Sequence, residues 1–581
     1  MCGIVGYIGR RDAAPLIIEG LKKLEYRGYD SFGVATLGNG IELAKHQGRI
    51  SEYTGSAIRL HGKIGIGHTR WATHGAPNDL NAHPHMDCTN RIAVVHNGII
   101  ENFLALKRDL VARGHRFSSE TDTEVAVHLI EEAYAREKNI LLAVQDTVPL
   151  LKGSYALLVI CVDEKRMIAA RKNSPLVIGI GDGENFAASD MTPVLEYTER
   201  AIFLEDGDIA SVTRENVEIF RDKKPVSRPV ELIDWSPEEV KKGGFAHYMV
   251  KEIYEQPQAF FNTLSAFNAD TLSHIALRPA FVTIVACGSS YHAGLIFKYL
   301  IEESCGIPAR LEFSSEFRYF PPPVDGLVIG ITQSGETADT LTALKQAKAH
   351  NCQTLAITNV LGSSVSRVAD ATLFMRAGPE ISVAATKSFV AQLAVLMQIT
   401  NFWAGGRCDD MLQHAHQAIE DVLLMDLSGP VSLCKPAQSI FFVGRGPFYA
   451  VSLEGALKMK EISYIHAEGY AAGELKHGPF ALLSPETPVI AICMPGETYD
   501  VMISNIKEMK ARGAPVIALG SDGDSELADV VDIFIPLPGT HRFVQVLTCL
   551  VVLQLLAYYT AVALGRDVDK PRNLAKSVTV E

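Results

Sequence analysis

The chain has few of the features that are typical of disulfide-rich secreted proteins, zinc-binding modules or nucleic-acid-binding proteins. Its ten cysteines lie singly along 581 residues with no Cys-x-x-Cys pair, so the sequence predicts neither a disulfide framework nor a zinc module. There is no long basic run, and 54 Lys and Arg against 67 Asp and Glu give a net charge of −13. This balance argues against nucleic acid or an anionic membrane as the main partner. A reducing, cytoplasmic location is therefore expected.

Targeting and membrane segments are also not predicted. The apolar N-terminal run has no basic region before it and is broken by three glycines, unlike a signal peptide. One uncharged stretch, 543–565, is long enough to span a bilayer. It contains two glutamines, two tyrosines and two threonines, and no second stretch accompanies it. We therefore expect a buried helix of a soluble protein without a membrane anchor.

The length of 581 residues exceeds what one hydrophobic core supports, so about three domains are expected. The first 220 residues alternate short β-rich runs with Gly and Asn turns, and two helical patterns near 13–25 and 121–136 interrupt them. This mixture predicts packed antiparallel sheets with helices outside. The predicted divisions are a first domain over 1–220, a charged linker over 221–265, two further domains over 266–410 and 411–566, and a tail over 567–581.

The C-terminal half contains an internal repeat. The matched runs are 283–288 with 439–444, 327–337 with 488–498, and 355–358 with 516–519. In each copy unbroken apolar strands alternate with helical stretches, which predicts an α/β domain with a parallel sheet covered on both faces. Ligands of such sheets bind beyond the carboxyl ends of the strands.

Hydroxyl-rich loops follow two strands of the first copy. They are Gly288-Ser289-Ser290 and Thr332-Gln333-Ser334-Gly335-Glu336-Thr337, and each opens a helix. Helix N-termini with Ser and Thr hydroxyls can hold a phosphate without lysine or arginine. Capping alone would explain one such loop, so the pair favours a phosphoester site. The second copy has Gly444-Arg445-Gly446-Pro447 and Cys493-Met494-Pro495-Gly496 instead, which predicts a different role.

Cys2 follows the initiator methionine directly. Removal of Met1 would place on one residue a thiol nucleophile and a free α-amine, with pKa near 8, that can take the thiol proton. The alternative is a buried strand cysteine that happens to lie second, and position alone favours that alternative. Other residues must decide between them.

Glu454, Lys458 and Glu461 lie at i, i+4 and i+7 of a predicted helix, on one face. Such a set is ordinarily a solvated salt-bridge ladder. The intervening residues are mostly apolar, so a buried catalytic set is an equal alternative. A carboxylate beside an ammonium suits proton transfer next to a carbonyl.

Several motifs carry a resemblance to known families. They are Cys2-Gly3-Ile4-Val5-Gly6, Tyr26-Arg27-Gly28-Tyr29-Asp30-Ser31, Gly67-His68-Thr69-Arg70-Trp71-Ala72-Thr73-His74-Gly75, His96-Asn97-Gly98 and Glu120-Thr121-Asp122-Thr123-Glu124. Together they resemble the class II, N-terminal-nucleophile glutamine amidotransferases. The repeated half resembles the sugar isomerase (SIS) domains. In this order, and closed by the Pro571–Glu581 segment, the whole chain resembles the glutamine:fructose-6-phosphate aminotransferases.

The resemblance implies an αββα sandwich followed by two doubly wound parallel-sheet SIS domains. It makes Cys2 the nucleophile that attacks glutamine, with Asn97 and Gly98 as the oxyanion hole and Arg27 holding the terminus. Arg70 would bind the α-carboxylate of glutamine and Asp122 its α-ammonium. The remaining implied positions are Thr73 and His74, which line the pocket, and Trp71, which gates ammonia.

For the sugar site the resemblance implies fructose 6-phosphate on Ser290, Gln333, Ser334 and Thr337, near the backbone of Val383 and Ala384. Glu461 would move the proton between C1 and C2, with Lys458 assisting. His477, supported by Glu454, would open the ring, and Lys576 would form a Schiff base with the keto sugar. Two positions depart from the family, Thr332 and Ala385, where serine is common. Thr332 keeps the hydroxyl, whereas Ala385 removes it, which puts a side-chain contact at 385 in doubt.

The implied activity is transfer of the amide nitrogen of L-glutamine to D-fructose 6-phosphate by a homodimer. We expect no cofactor: neither a metal nor pyridoxal phosphate. A metal cluster of His74, His83, His85 and Cys88 is disfavoured because its spacing fits no compact zinc pattern and Pro84 stiffens it. Two rivals stay open: an amidotransferase or deglycase for another sugar phosphate, and a non-catalytic sugar-phosphate sensor.

Overall fold

A computed structural model describes residues 2–53, 58–233, 242–273, 275, 278–317, 319, 326–406, 409–538 and 541–578. The linker residues 234–241 and the last three residues of the C-terminal motif, 579–581, lie outside the described residues.

The N-terminal part contains fifteen strands and four helices among its described residues. The strands are β1 (Gly3–Ile8), β2 (Ser31–Leu37), β3 (Ile41–Gln47), β4 (Ile64–Arg70), β5 (His85–Met86), β6 (Ile92–Ile100), β7 (Gly153–Cys161), β8 (Glu164–Lys172), β9 (Val177–Ile180), β10 (Asn185–Ala188), β11 (Arg200–Phe203), β12 (Ile209–Val212), β13 (Val217–Arg221), β14 (Lys224–Val226) and β15 (Glu231–Leu232). The helices are α1 (Ala13–Lys23), α2 (Phe103–Ala112), α3 (Glu124–Glu137) and α4 (Ile140–Thr147).

The C-terminal part alternates helices and strands. Its first copy contains α5 (Tyr248–Tyr254), α6 (Gln256–Ser265), α7 (Ala269–Ser273), β16 (Val282–Ala286), α8 (Gly288–Cys305), β17 (Ala309–Phe313), α9 (Ser314–Phe317), β18 (Leu327–Ile331), α10 (Ala338–Ala349), β19 (Gln353–Thr358), α11 (Ser364–Val368), β20 (Ala371–Phe374) and α12 (Lys387–Trp403). The second contains α13 (Asp409–Val422), α14 (Ser428–Cys434), β21 (Ser439–Gly444), α15 (Pro447–Ser463), β22 (His466–Ala471), β23 (Val489–Ile492), α16 (Tyr499–Lys510), β24 (Val516–Ser521), α17 (Ser525–Val530), β25 (Ile533–Leu537) and α18 (Arg542–Ala563).

Two antiparallel sheets form the N-terminal domain, with strand orders β15-β11-β9-β10-β1-β4-β2-β3 and β14-β13-β12-β8-β7-β6-β5. They pack face to face through alternating apolar residues such as Ile4 and Ile66 against Val95 and Leu158. The sheets approach so closely at Gly6 that a Cβ there would lie 2.4 Å from the sulfur of Met167. Helix α1 covers the outer face of the first sheet, and α3 and α4 cover that of the second. The predicted αββα sandwich is confirmed.

The sandwich extends further along the chain than the sequence suggested. Strands β14 and β15 follow residue 220, and β15 pairs with β11 through Arg200 and Leu232. The predicted linker 221–265 also contains α5 and α6, whose residues Met249, Ile253 and Phe260 lie in the core of the next domain. Among its described residues this segment contains short edge strands, the mostly buried α5 and the half-buried α6 rather than one continuous linker.

The predicted repeat corresponds to two parallel five-stranded sheets of the same topology. The orders are β17-β16-β18-β19-β20 and β22-β21-β23-β24-β25, which are both the doubly wound order 2-1-3-4-5. The three pairs of matched runs correspond to β16 with β21, β18 with β23, and β19 with β24. One continuous apolar core joins the facing sides of both sheets through α8, α12, α15 and α18. The first and second copies therefore share an interface at which α8 contacts α15.

Helix α18 is long and apolar enough by composition to cross a bilayer, with a mean hydropathy of 2.0 over its best window. In the structure 83% of that window is buried inside the protein, where the helix packs on α13 and α15. The helix fills the core shared by the two copies, as predicted for the 543–565 stretch.

The C-terminal tail leaves α18 and runs between the domains. The Lys570 ammonium contacts the buried Glu25 carboxylate, Arg49 pairs with Asp567 at 2.9 Å, and Tyr29 donates to the Pro571 carbonyl at 3.2 Å. These contacts hold the tail against the N-terminal domain before it reaches the first parallel sheet.

Candidate active site

Cys2 lies at the start of β1, at the edge of the N-terminal sandwich. The backbone N–H of Trp71 donates to its Sγ at 3.3 Å, and the Trp71 carbonyl lies 3.6 Å from the same sulfur. Burial raises the pKa of the Cys2 thiol. A neighbouring base must therefore remove the thiol proton, and the α-amine that Met1 removal would expose is on the same residue.

Asn97 is placed beside Cys2 by β6. Its amide Nδ2 donates to the Cys2 carbonyl at 2.9 Å, and its Oδ1 lies 3.1 Å from the Nε2 of His68. Gly98 follows with φ +124, and a Cβ there would lie 2.1 Å from the Ser154 carbonyl. Only glycine fits this position, which lies within β6 directly after Asn97.

Buried histidines support Asn97, and the sequence did not single them out. His68 Nε2 faces two acceptors, Asn97 Oδ1 and the His96 carbonyl at 2.9 Å, so Nε2 carries the proton. Burial lowers the pKa of His68 to about 3, and burial also lowers the pKa of His96. The neutral Nε2–H tautomer of His68 therefore fixes the orientation of the Asn97 amide.

Arg70 and Asp122 both lie close enough to Cys2 to influence its thiol electrostatically. The Arg70 guanidinium donates to the carbonyls of Gly75 at 3.1 Å and Ala76 at 3.4 Å, and also contacts the His74 carbonyl. Asp122 is buried and accepts from the Ile100 N–H at 2.7 Å. In this state Arg70 holds the 74–76 turn, so a glutamine carboxylate would have to share or replace those carbonyls.

The other predicted glutaminase residues differ in their surroundings. Thr73 is exposed, His74 packs edge-on against Phe103 with ring centroids 5.0 Å apart, and Trp71 packs edge-on against Tyr29 at 5.6 Å. Arg27 instead pairs with Asp190 at 2.7 Å. Among the described contacts of Arg27 none goes to Cys2, and the residue lines a cavity between the domains.

The side chains of the metal cluster that the sequence disfavoured, His74, His83, His85 and Cys88, do not converge on one point. His83 stacks on His68 with ring centroids 4.1 Å apart, and His85 bonds to Thr121 at 3.0 Å. Cys88 points away from this stack, toward His115 and His128.

The two hydroxyl loops lie at the carboxyl ends of β16 and β18, as predicted. Ser290 accepts from the Gln392 amide at 2.8 Å, and the Thr332 and Thr337 hydroxyls are 2.9 Å apart. Ser334 Oγ accepts from the Glu336 N–H at 3.2 Å. Gly335 has φ +65 between them, and a Cβ there would lie 2.1 Å from Ser363 Oγ, so the loop needs glycine to turn its N–H groups and hydroxyls inward.

The remaining positions predicted to bind the sugar are Gln333, Val383 and Ala384. Gln333 lines the interdomain cavity. Val383 donates its N–H to the Asp569 carbonyl at 3.0 Å, and Ala384 beside it is buried. The position of Ala385 follows these two, where the chain enters α12.

The charged face of α15 is buried against α8. Glu454 accepts from the Ser289 hydroxyl at 2.8 Å and bonds to His292 at 2.7 Å. Lys458 lies 3.4 Å from Glu454 and 2.5 Å from Glu461. Side-chain exposure is 1% for Glu454 and Lys458 but 20% for Glu461. A solvated ladder is excluded, and Glu461 is the carboxylate that remains accessible to a ligand.

The protonation of this cluster follows from its packing. Burial alone would lower the pKa of Lys458, but Glu461 and Glu454 outweigh burial and raise it. Burial would raise the pKa of Glu454, but Lys458 and His292 lower it. Lys458 therefore remains an ammonium without a free lone pair, and the lowered pKa of Glu454 makes this carboxylate a weak proton acceptor.

His477 lies apart from this cluster. It ends a 3-10 turn over Ala472–His477 and is exposed. The described hydrogen bonds of Glu454 go to Ser289 and His292, so within this single chain Glu454 supports His292 rather than His477.

The tail places Lys576 and Ser577 over the phosphate loop. Ser577 Oγ lies 2.8 Å from Ser334 Oγ, and the Lys576 ammonium contacts the buried carboxylate of Glu380. Burial would raise the pKa of Glu380, but Lys576 outweighs it and lowers the pKa to about 2. Glu380 also caps α12 by accepting from the Thr386 N–H at 2.9 Å, so the tail lysine is anchored to the start of that helix.

A cavity lies between the N-terminal domain and the first parallel-sheet domain. It has a volume of about 90 Å³ and is lined by Arg27 and Asp190 on one side and by Ser334, Lys576 and Ser577 on the other. The tail residues Lys576 and Ser577 thus form one wall of the cavity between these two domains.

The comparisons with known proteins agree with this arrangement. The glutamine amidotransferase domain family matches residues 68–196, and the SIS domain family matches 281–401 and 434–564. The chain is 48% identical to the isomerising glutamine–fructose-6-phosphate aminotransferases of Methanosarcina mazei and of Thermococcus kodakarensis, with all of each chain covered. The solved C-terminal domain of glucosamine-fructose-6-phosphate aminotransferase from Francisella tularensis is 37% identical with a TM-score of 0.53, and covers 57% of this chain and 100% of that chain.

Relatives that match over their whole length at this identity show the family. The chain belongs to the isomerising glutamine–fructose-6-phosphate aminotransferases.

Proposed function

We propose that this chain transfers the amide nitrogen of L-glutamine to D-fructose 6-phosphate and isomerises the product, giving D-glucosamine 6-phosphate and L-glutamate. The observation that carries the proposal is the docking of the tail. Lys576 and Ser577 lie beside the phosphate-loop serine Ser334 and face a cavity that N-terminal-domain residues also line. One chain thus combines a terminal-cysteine site with a hydroxyl-rich loop and a tail lysine, and the loop and the lysine line this cavity.

In the first step the Cys2 thiolate attacks the side-chain amide of glutamine. Ammonia leaves and a γ-glutamyl thioester forms, which water then hydrolyses to glutamate. Asn97 Nδ2 and the Gly98 N–H would donate to the oxyanion, where one donor supplies about 2.7–4 kcal/mol. Arg70 and Asp122 would hold the α-carboxylate and the α-ammonium, with Thr73, His74 and Trp71 around them and Arg27 behind.

Ammonia must then reach the sugar unprotonated, because ammonium is not a nucleophile. Arg27 and Asp190 line the cavity opposite the tail, whereas Cys2 is not among its described lining residues. An enclosed transfer would therefore require a passage from Cys2 into this cavity, with the docked tail as one wall.

In the second step the phosphate would bind Ser290, Gln333, Ser334 and Thr337, near the backbone of Val383 and Ala384. Lys576 is an ammonium paired with Glu380 in this structure, so it would first leave that ion pair and give up a proton to solvent. Its free amine would then condense with the C2 carbonyl to an imine and release water, and ammonia would displace the lysine. Glu461, the accessible carboxylate of its cluster, would move the proton from C1 to C2. The water consumed at the thioester balances the water released at the imine.

Lys458 and Glu454 would set the electrostatics of this step. The Lys458 ammonium can stabilise negative charge on the sugar oxygens, and Glu454 orients His292 and Ser289 at 2.7 and 2.8 Å. His477 is exposed in a single chain, so its predicted role in ring opening requires a second copy or a rearrangement. We propose a homodimer, which a solution mass of twice 63.2 kDa would support.

The test is to measure glutamate release with and without fructose 6-phosphate and to identify the sugar product by NMR. We expect slow hydrolysis alone, faster hydrolysis with the sugar, and glucosamine 6-phosphate equal to the glutamate released. If glutamate forms but only another sugar phosphate is aminated, the substrate assignment is wrong. Absence of both products with fructose 6-phosphate and intact binding would favour a sensor.

A further inference from the structure

Four metal-binding side chains converge on the outer surface of the N-terminal domain, away from Cys2. Cys88 follows β5, His115 follows α2, and His128 and Glu131 lie on α3. One ligand atom from each, Sγ, two Nδ1 and one carboxylate oxygen, lies within 4.8 Å of all the others. The proposed amide-transfer and sugar steps use none of these four residues.

The spacing of these atoms is close to that of a tetrahedral site. Ligands held tetrahedrally at zinc distances of 2.0–2.3 Å must lie about 3.3–3.8 Å apart. Cys88 Sγ is 3.5 Å from His115 Nδ1 and 3.6 Å from His128 Nδ1, within this range. Glu131 Oε2 is 3.1 Å from each of the two Nδ1 atoms, slightly below it. All four ligand atoms lie within 4.8 Å of one another, so small side-chain shifts would bring them to bonding distance from one ion.

The outer contacts orient one of the two imidazoles toward this centre. His115 Nε2 lies 3.2 Å from Glu132 Oε1, which favours the Nε2–H tautomer and leaves the Nδ1 lone pair facing inward, as at histidine–metal sites. His128 Nε2 lies 3.8 Å from Glu124 Oε1, too far for a hydrogen bond, and its Nδ1 lies 3.1 Å from Glu131. An ion at the centre would therefore replace a proton between His128 Nδ1 and Glu131.

The surrounding backbone fixes Cys88 in the ligand position. Asp87 accepts from the N–H groups of Arg91 at 2.6 Å and Ile92 at 2.8 Å, which closes the turn that carries Cys88. The Arg116 N–H lies 3.5 Å from Cys88 Sγ and would stabilise a thiolate. His128 is buried, whereas Cys88 is exposed, so the site has a rigid floor and an entry path.

We propose that Cys88, His115, His128 and Glu131 bind one zinc ion. Four protein ligands leave no open position, so the site is structural rather than catalytic. The ion would join the turn after β5, the segment after α2, and α3. That segment continues into Asp122 and the start of α3, so the ion would brace the rear of the glutamine pocket. Binding requires loss of the thiol proton and no redox step.

The experiment uses the full-length chain, stripped with a chelator and reloaded with zinc or cobalt(II) alone. We expect one zinc per chain after dialysis, measured by elemental analysis, and a cobalt spectrum with tetrahedral d–d bands and a sulfur-to-cobalt charge-transfer band. Zinc should also raise the thermal unfolding midpoint of the stripped protein. Cys88→Ser and His115→Ala should each lose the stoichiometric zinc and the thermal shift, and Cys88→Ser should lose the charge-transfer band.

Two matched controls separate this site from other thiols and histidines. Cys2→Ala removes the terminal thiol and should keep the cobalt band, and His61→Ala removes an exposed histidine and should keep the zinc. Cys88 is exposed, so its replacement by serine is not expected to unfold the domain. Failure of the wild-type chain to retain zinc, or survival of the charge-transfer band in Cys88→Ser, would overturn the proposal.

Discussion

The hydroxyl of Ser577 in the C-terminal tail lies 2.8 Å from the hydroxyl of Ser334 in the phosphate loop. These residues are 243 positions apart, and the bond is one of the contacts that close the tail over the first parallel sheet. A phosphate that binds Ser334 would meet the tail at the same hydroxyl. If Ser334 binds the phosphate as proposed, we expect sugar binding and tail position to be coupled.

The first prediction concerns this hydroxyl pair. Ser334→Ala should weaken fructose 6-phosphate binding by about 10- to 150-fold, since a hydrogen bond to a charged group contributes about 1.5–3 kcal/mol. Calorimetric titration measures the change. Ser432→Ala, on the surface of α14, is the control and should bind normally. An unchanged affinity in Ser334→Ala would move the phosphate to another loop.

The second prediction concerns Cys2. Cys2→Ala should reduce glutamine hydrolysis and glutamine-dependent synthesis by more than about 1,000-fold, because the nucleophile is lost. Sugar isomerisation should persist, because that cluster lies on α8 and α15. Retention of Met1 should act in the same way by converting the basic amine to an amide, and mass spectrometry of the terminus detects it. Full synthesis from either form would contradict the mechanism.

The third prediction separates the two carboxylates of α15. Glu461→Gln should slow exchange of the sugar C1 and C2 protons with solvent by about 10²- to 10⁴-fold and spare binding, because it removes an accessible base and keeps its shape. Glu454→Gln should instead destabilise the protein, because it leaves the buried Lys458 with one carboxylate fewer. NMR exchange and thermal unfolding measure the two effects. Normal exchange in Glu461→Gln would assign the base elsewhere.

The fourth prediction concerns the tail lysine. Borohydride with fructose 6-phosphate should attach the sugar to the peptide that contains Lys576, because a neutral lysine amine can form an imine with the open-chain ketone. Lys576→Arg should abolish the label yet keep the tail docked, since arginine retains the ion pair with Glu380.

Truncation after Leu574 is the matched comparison for Lys576→Arg. It removes both the amine and the docking contacts, so it should leave glutamine hydrolysis and eliminate most amination. Peptide mapping and product ratios distinguish the two variants. A label on another lysine, or normal amination by the truncated chain, would remove the tail from the site.

The fifth prediction concerns acid stability. The pKa of His68 falls to about 3 in the folded state from an ordinary value of 6.5. Between these values the unfolded chain binds one more proton at this residue, so stability should fall with decreasing pH by about 1.4 kcal/mol per unit. His68→Gln should flatten this slope of the unfolding free energy. An unchanged slope would mean that His68 is protonated in the fold.

Local patterns in the sequence were enough to predict much of the fold and of the candidate site. The repeated apolar runs predicted two parallel sheets, because a strand buried on both faces has consecutive apolar residues. The same pattern recurs 161 positions later. Loops at the ends of those strands had to meet at one sheet edge, so Ser290 and Ser334 could be assigned to one site. Cys2, Asn97 and Asp122 followed from motifs whose residues are close in the chain.

Other features depended on packing between distant segments. Burial of Glu454 and Lys458 required α8 of the first copy to lie against α15 of the second, over a separation of 165 residues for the Ser289–Glu454 contact. Periodicity alone could not distinguish that face from a solvated one. The end of the first domain was also misplaced, because β14 and β15 are short edge strands with a charged composition.

The cluster around Cys88 shows most clearly the difference between residue types given by the sequence and contacts set by packing. The sequence supplied the ligand types, but the nearest histidines in the chain, His83 and His85, turn into the core, while His115 and His128 approach from α2 and α3. Sequence by itself determined the family, the repeat and the chemistry of the motifs, because these depend on residue identity and local spacing. Tertiary structure alone decided which carboxylate stays accessible, where the tail docks and which ligands meet, because these depend on how separate elements pack.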